Sequence, residues 1–341
     1  MIYNGFEIDM LSLGNADCFL ATHWLNGTAT RVLIDGGDAC YASTVLAFLK
    51  ERGVSYLDHI VCSHPHDDHG AGLIEVVSSK NIRLGQAWMH LPWNHVDMSN
   101  LSTALNESTA TAKKVVKIIN ESIETASSLY DAFVARGVEP TEPFKGQQIA
   151  FLTVCSPTQE FYESLLCDFT DYEKLAQFES DLASHDRSIL LEEIFEESAV
   201  GGLGGAPTEP ENNSSTILGT ISDGGKFLFT SDAGVEALTM AKEAYDLSNL
   251  RWMQIPHHGS RRNVTEELIE YFKPKTAYVS ASGTKKHPRR AVVNAFKNVG
   301  ATVYSTHWPL PNGSNKWHHI GNVPDRSDYS ATFPLYDTAA T

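Results

Sequence analysis

The order of apolar patterns along the 341-residue sequence predicts an α/β fold in which two halves share one core. Residues 6–34 read as consecutive strands, and strands then alternate with helices. The same scheme restarts after a stretch rich in glycine and proline at 200–214. No linker separates two self-sufficient cores, so the sequence predicts a single domain over residues 1–341.

The first half begins with a strand in which Phe6, Ile8 and Met10 alternate with acidic residues, the period of a half-buried strand. The period then changes to that of a helix, which begins near Ala42 and which Gly53 is placed to end. The remaining elements predicted in this half are strands at 18–22, 31–34 and 59–63 and a helix at 71–77.

Helical insertions are predicted at about 100–145 and 158–199, before the scheme restarts. The strongest helical signal covers residues 107–137, and Gly137 ends it. Residues 200–214 are predicted to form a flexible surface loop and residues 306–341 an irregular tail. The other predicted elements are strands at 149–154, 216–221, 226–230, 251–255, 276–280 and 301–305, with helices at 265–272 and 288–298.

Composition limits the classes of function. With 26 basic and 42 acidic residues the formal charge is −16, which argues against non-specific coating of nucleic acid. No apolar run approaches the roughly 20 residues of a membrane-spanning helix, and no secretory signal is visible. The expected location is the cytoplasm. Five cysteines without a C-x-x-C pair argue against a disulfide framework and a zinc knuckle.

The most specific signal is the motif H-x-H-x-D-H, which follows an apolar strand. His64 and His66 are two residues apart, so both imidazoles can converge on one ion, and Asp68 and His69 project toward a second ion position. A solvated histidine-rich loop is the alternative, but it does not account for four ligand-type residues within six positions.

Two other strand ends offer further ligands. Asp232 follows the strand at 226–230, and its two oxygens can bridge two cations; the alternative is that it caps the helix beginning near Val235. His257 and His258 follow the strand at 251–255. We expect one of the two to bind metal and favour His258, with His257 facing the substrate.

These motifs resemble the metallo-β-lactamase superfamily, and within it the hydrolase domain of ComEC-type DNA-uptake (competence) proteins and their stand-alone relatives. The resemblance implies an αββα sandwich of two mixed sheets flanked by helices, with metals at one edge between the sheets. It also implies that Asp35 and Asn213 support the site. The matching segments are Leu13–Asp17, Leu33–Gly37, Ser63–Gly70, Asn213–Ser215, Thr230–Gly234, Pro256–Ser260 and Ser280–Pro288.

One departure from the superfamily pattern concerns the first metal. Many members supply a further histidine just before the strand that begins here near Ser215, whereas this chain has Glu-Asn-Asn-Ser at 211–214. His90, His95 and His185 are candidates to replace it, but their spacing selects none of them. The implied cofactor is Zn²⁺, as one or two ions, with Mn²⁺ or Mg²⁺ as alternatives.

The implied chemistry is hydrolysis by a metal-bound hydroxide, with Asp68, His257 and His287 as catalytic candidates. Basic residues follow two of the motif loops in this acidic chain and favour an anionic phosphodiester, DNA or RNA among them. Solvated surface charge is the alternative explanation for each cluster. The candidate substrate-binding residues are Ser260, Arg261, Arg262, Lys285, Lys286 and Arg289.

Three functions therefore compete. The first is a phosphodiesterase or nuclease. The second is a hydrolase of small esters, lactones, thioesters or β-lactams, which would turn over neutral substrates regardless of those basic residues. The third is a catalytically weak partner subunit that keeps the fold for protein recognition, with the acidic insertions as the surface for a homodimer or a protein partner. No membrane partner is expected.

Overall fold

The apolar strands form two β-sheets that face each other in a computed structural model, which describes residues 5–95, 124–168, 203–220, 226–282, 287–306 and 317–321. The first sheet has the order β13-β1-β2-β3-β4-β5 and the second the order β12-β11-β10-β9-β8-β7-β6. The strands are β1 (Gly5–Leu11), β2 (Phe19–Leu25), β3 (Thr28–Ile34), β4 (Tyr56–Val61), β5 (Arg83–Trp88), β6 (Gln148–Ile149), β7 (Leu152–Ser156), β8 (Ile217–Gly219), β9 (Phe227–Phe229), β10 (Trp252–Gln254), β11 (Thr276–Val279), β12 (Thr302–Ser305) and β13 (Trp317–Gly321).

Helices cover the outer face of each sheet, which completes the predicted αββα arrangement. Residues 124–135, called α3 here, are helical at the end of the predicted 107–137 helix, whose earlier part lies outside the described residues. The other helices are α1 (Ala42–Glu51), α2 (Asp67–Ser78), α4 (Gln159–Asp168), α5 (Pro210–Asn213), α6 (Val235–Ala244), α7 (Glu266–Phe272) and α8 (Arg290–Asn298).

Three apolar clusters hold these layers together. Side chains of both sheets, among them Phe19, Phe229 and Trp252, form the central cluster. A second cluster lies between the first sheet and α1–α3, and a third lies between the second sheet and α4, α6, α7 and α8. The two halves predicted from the sequence therefore share one core through their sheets.

Each sheet combines antiparallel and parallel strands. In the first sheet β1, β2 and β3 pair antiparallel, whereas β3, β4 and β5 pair parallel. In the second sheet β6 to β9 pair antiparallel and β9 to β12 pair parallel. The carboxyl ends of parallel strands meet at one edge of a sheet, which is where open α/β sheets bind ligands.

Three sequence-based expectations are wrong. Strand β1 is buried on both faces, because Arg52 contacts Asp9 at 2.9 Å and Trp24 donates to Glu7 at 2.9 Å. The expected flexible loop contains α5, whose residues 211–213 are buried. The expected irregular tail contains β13, which pairs antiparallel with the otherwise open edge of β1.

Several other expectations fall on undescribed residues: most of the insertions, His185, and most of the tail. No helix among the described residues combines the length and the apolar character needed to cross a lipid bilayer.

Candidate metal centre

The polar residues of the motifs come together where parallel strands of both sheets end. Asp35 follows β3 and Ser63 begins the segment after β4, while Asp232 follows β9 and His257 and His258 follow β10. Backbone contacts join these segments: the Ser63 carbonyl accepts from the Thr216 amide at 2.9 Å, and the Ser231 carbonyl accepts from the His257 amide at 3.1 Å. The site is therefore built from both halves of the chain.

Asp35 organises the histidine motif. Its Oδ1 accepts from the Ser63 amide at 2.7 Å, and its Oδ2 accepts from the Ser63 hydroxyl at 2.7 Å and from His69 Nδ1 at 2.9 Å. Because Nδ1 of His69 donates, its Nε2 is left as an acceptor that faces Asp232 Oδ1 at 3.4 Å. The implied supporting role of Asp35 matches this geometry.

The motif itself spans the start of a helix rather than a turn. Helix α2 begins at Asp67, not at the predicted residue 71, so Asp68 and His69 lie in its first turn. The helix can begin this early because it packs closely on the turn after β3. The Gly72 amide donates to the Gly37 carbonyl at 2.7 Å, and the Gly36 amide donates to the His69 carbonyl at 2.8 Å. Residues 36 and 72 are glycines because no Cβ fits there.

Asp232 is buried, with 1% of its surface exposed, and it does not cap the helix that follows it. Asn213 caps α6 instead, because its Oδ1 accepts from the amides of Gly234 at 3.2 Å and Ala237 at 3.4 Å. The capping alternative for Asp232 is therefore wrong, and the supporting role that the resemblance implies for Asn213 stays a prediction. Nearby imidazoles, His257 foremost, overcome the effect of burial and hold the pKa of Asp232 well below its ordinary value.

The two consecutive histidines point to different partners. His258 Nδ1 donates to the Ser280 carbonyl at 2.7 Å, which leaves Nε2 facing Asp68 Oδ2 at 3.2 Å and Asp232 Oδ2 at 3.9 Å. His257 Nδ1 donates to Asn263 Oδ1 at 3.1 Å, and its Nε2 lies 3.7 Å from Asp232 Oδ2. The first arrangement fits the expectation that His258 is the ligand.

Backbone strain is concentrated at this centre. Asp35, Ser231, His257 and His258 all have positive φ angles, of 58°, 47°, 46° and 53°. Such conformations cost free energy in residues other than glycine and persist where the surrounding contacts fix them. Each of these residues lies at the end of a parallel strand, and the unusual backbone turns its side chain toward the centre.

The donor atoms fit divalent cations. His64, His69 and Asp232 offer three atoms within 4.8 Å of one another, and Asp68, His69 and His258 offer a second such group. Among the described residues, His64 Nε2, His69 Nε2 and Asp232 Oδ1 are buried without a hydrogen-bond partner. Buried polar atoms without partners are costly, and a cation would satisfy all three. The individual ligand assignments stay predictions.

The buried side chains of Asp17, Gln254 and Ser231 also belong to this centre, although they are not among the site residues predicted from the sequence. Asp17 is buried and accepts from Gln254 Nε2 at 2.7 Å, and its Oδ2 lies 3.7 Å from His69 Nδ1. Burial raises the pKa of the Asp17 carboxyl. The Ser231 hydroxyl contacts that of Ser63 at 2.6 Å. Asp17 lies in a segment already matched to the family, but a single aspartate in a turn does not reveal its burial.

The candidate replacement histidines within the described chain contact other groups. His90 Nε2 lies 3.2 Å from the Thr216 hydroxyl, and its ring stacks on Tyr162. His95 lies between the carboxylates of Glu142 and Glu163, at 2.9 Å from each. Neither belongs to a donor group found among the described residues. Neither, therefore, takes the place of the missing ligand.

The two basic loops lie against each other beside the centre. The Arg289 amide donates to the Gly259 carbonyl at 3.0 Å, and the rings of His257 and His287 are 5.7 Å apart. Ser260 and Arg289 are themselves buried, whereas Arg261 and Arg262 are partly exposed. The Ser260 hydroxyl accepts from the Arg262 amide at 3.3 Å. Lys285 and Lys286 lie outside the described residues.

Three known proteins are similar to this chain. ComE operon protein 3 of Bacillus subtilis (strain 168) is 28% identical over 131 residues, 38% of this chain but only 16% of that protein. The metallo-beta-lactamase fold protein YhfI of B. subtilis superposes with a TM-score of 0.43 at 9% identity, covering 94% of this chain and all of YhfI (100%). A diphosphatase of the PhnP family superposes with a TM-score of 0.37 at 13% identity, covering 80% of this chain and 85% of that one.

A family model also matches most of the chain. It is described as the metallo-beta-lactamase superfamily, and it covers residues 12–283, which include every strand end that contributes to the centre. Proteins of this superfamily typically bind divalent metals, and the donor groups of this chain suit such ions. With its two mixed sheets flanked by helices, the chain belongs to the metallo-beta-lactamase superfamily of metallo-hydrolases.

Proposed function

We propose that this protein is a metal-dependent phosphodiesterase whose substrate is a nucleic acid or a nucleotide. The observation that carries the proposal is the contact between the two basic loops beside the donor groups. The segment after His258 continues into Arg261 and Arg262, and the segment after His287 continues into Arg289 and Arg290. In a chain of charge −16, the partly or fully exposed side chains of Arg261, Arg262 and Arg290 offer local attraction for an anion.

The residues of the centre divide the work of hydrolysis. When bound, divalent cations in such a centre lower the pKa of a coordinated water toward about 7 and stabilise developing negative charge. Asp35 and the Ser280 carbonyl fix the tautomers of His69 and His258. In each ring Nε2 therefore stays unprotonated, and its lone pair is available to a cation. His287 lies next to His257 and is our candidate to protonate the leaving oxygen.

The similarity to ComE operon protein 3 supports a relation to the competence proteins that the sequence motifs suggest. That similarity covers a minor part of the curated protein, so we propose the relation for the hydrolase domain alone.

The test combines a metal-dependent assay with charge reversal. Wild-type protein supplied with Mn²⁺ or Zn²⁺ should hydrolyse bis-nitrophenyl phosphate and oligonucleotides, and the Asp68→Ala variant should not. The double variant Arg261→Glu/Arg262→Glu should lose activity on oligonucleotides in a salt-dependent way. The matched control is Lys50→Glu/Lys80→Glu, which makes the same change of charge at exposed positions.

Two results would contradict the proposal. One is a metal-replete wild type that hydrolyses neutral esters or lactones but no phosphodiester. The other is equal loss of oligonucleotide cleavage in the arginine and lysine double variants, since the effect would then follow from net charge and not from the basic loops.

A further inference from the structure

Helix α5 brings a carboxylate to the place where the sequence lacks a histidine. Residues 211–213 of this helix are all buried. Its last residue, Asn213, caps α6, and Asn212 Nδ2 lies 3.4 Å from His257 Nδ1. The cap at Asn213 anchors the end of helix α5 on α6, and Asn212 lies beside His257.

Glu211 faces His66. Carboxylate oxygens of Glu209 and Glu211 and a ring nitrogen of His66 all lie within 4.8 Å of one another. This group adjoins the group of His64, His69 and Asp232, because the rings of His64 and His66 are 4.7 Å apart.

The burial of Glu211 calls for a positive partner. Only 5% of the residue is exposed. Within the part of the chain that the structure describes, no other residue's side chain donates a hydrogen bond to its carboxylate, and no lysine or arginine pairs with it. A buried carboxylate is costly while it is charged, and a bound cation would offset that cost. His64 Nε2 is also buried without a hydrogen-bond partner, and its ring lies next to that of His66.

We propose that Glu211 is a ligand of the cation held by His64 and His66, in the position where other superfamily members use a histidine. The inference rests on the proposed metal-dependent function and specifies its ligand set. The first cation would then be bound by two imidazoles, the Asp232 carboxylate and the Glu211 carboxylate. An oxygen ligand in place of nitrogen favours harder ions such as Mn²⁺ and Mg²⁺ relative to Zn²⁺.

Metal titration tests this assignment without relying on turnover. Apo protein is titrated with Zn²⁺ and with Mn²⁺ by calorimetry or by chelator competition. Glu211→Gln should weaken one binding step by more than the roughly 10- to 100-fold that outer-shell changes cost, and leave the other step unchanged. Glu211→His should restore Zn²⁺ binding but not Mn²⁺ binding, which raises the ratio of the two affinities.

Three variants serve as comparisons. Glu243→Gln makes the same substitution at an exposed position of the neighbouring helix α6, outside all donor groups of the described residues, and should bind as the wild type does. Asp68→Asn should weaken the other binding step. Glu209→Gln should weaken binding less than Glu211→Gln, and the reverse order would overturn the assignment.

The remaining outcomes separate this inference from the proposed function. Wild-type affinity for both ions in a folded Glu211→Gln variant would overturn the ligand assignment. If that variant does not fold, Glu211→His is the deciding variant. A ratio of Zn²⁺ to Mn²⁺ affinity in Glu211→His that equals the wild-type ratio would also overturn the ligand assignment. If Glu211→Gln loses one ion as expected while the wild type cleaves no phosphodiester, the ligand assignment stands and the proposed substrate class fails.

Discussion

Replacing Asp35 by asparagine should weaken metal binding through His69 while leaving the fold intact. Asparagine has the same shape and tolerates the positive φ of 58° at this position, so the backbone should not move. If Oδ1 keeps the hydrogen bond from the Ser63 amide, the new amide group faces Ser63 Oγ and His69 Nδ1. His69 Nδ1 must then accept a hydrogen bond, and its proton moves to Nε2.

The size of the effect follows from that tautomer change. In the wild type, Asp35 provides a charged hydrogen bond at 2.9 Å that keeps Nε2 of His69 deprotonated. Hydrogen bonds to charged groups contribute about 1.5–3 kcal/mol, which corresponds to roughly 10- to 150-fold in affinity. Measured losses for such supporting residues are about 10- to 100-fold, which is the same range.

The assay is competition of apo protein with a chromophoric chelator for Zn²⁺, together with urea denaturation to confirm folding. Asp58→Asn is the matched control, because Asp58 accepts a backbone hydrogen bond from Arg31 at 2.8 Å and belongs to no donor group of the described residues. A folded Asp35→Asn variant with wild-type Zn²⁺ affinity would refute the role assigned to the His69 tautomer.

Three other perturbations have defined outcomes. Gly72→Ala should destabilise the protein by more than the roughly 1–3 kcal/mol of ordinary overpacking, because the added Cβ would lie 2.1 Å from the Gly36 carbonyl oxygen. Urea denaturation measures the effect, and a wild-type free energy of unfolding would contradict this prediction. Burial lowers the pKa of His90 from 6.5 to about 3, so His90 stays neutral in the folded state but takes up a proton when the chain unfolds in acid. The free energy of unfolding should therefore fall as pH decreases below 6.5. His90→Phe should reduce the slope of unfolding free energy against pH, between pH 7 and pH 5, by up to about 1.4 kcal/mol per pH unit. Equal slopes in variant and wild type would contradict the buried, neutral state of His90. Removing the metal with a chelator should lower the Tm. If the ion was present at about 100 times its Kd, the loss is equivalent to about 2.7 kcal/mol of stability. An equal decrease of Tm in Asp68→Ala would show that the chelator acts elsewhere.

The features predicted correctly from the sequence depend on local patterns. The motif from His64 to His69 is contiguous, and strand periodicity places Asp232 and the His257–His258 pair at strand ends. Parallel pairing then brings strand ends to one edge, so the juxtaposition follows from topology. The order of strands and helices could be predicted for the same reason.

The features that were missed depend on contacts between distant segments. Asp17 and Glu211 look like surface carboxylates in the sequence, and only the packing of the two halves buries them. Strand β13 has no alternating pattern and forms because the edge of β1 offers backbone hydrogen-bond groups. Helix α5 covers only residues 210–213, too short for a periodic signal, and its contacts with α6 and the centre determine its position.

The placement of the centre across the two sheets links ion binding to the association of the halves. His64 and His69 come from the first half, whereas Asp232 and His258 come from the second. A cation held by these residues acts as a cross-link between the two halves of the chain, which only the backbone connects in the unfolded state. Binding energy gained there adds to the cohesion of the central apolar cluster, so loss of the ion should loosen the contact between the sheets before it disturbs either sheet.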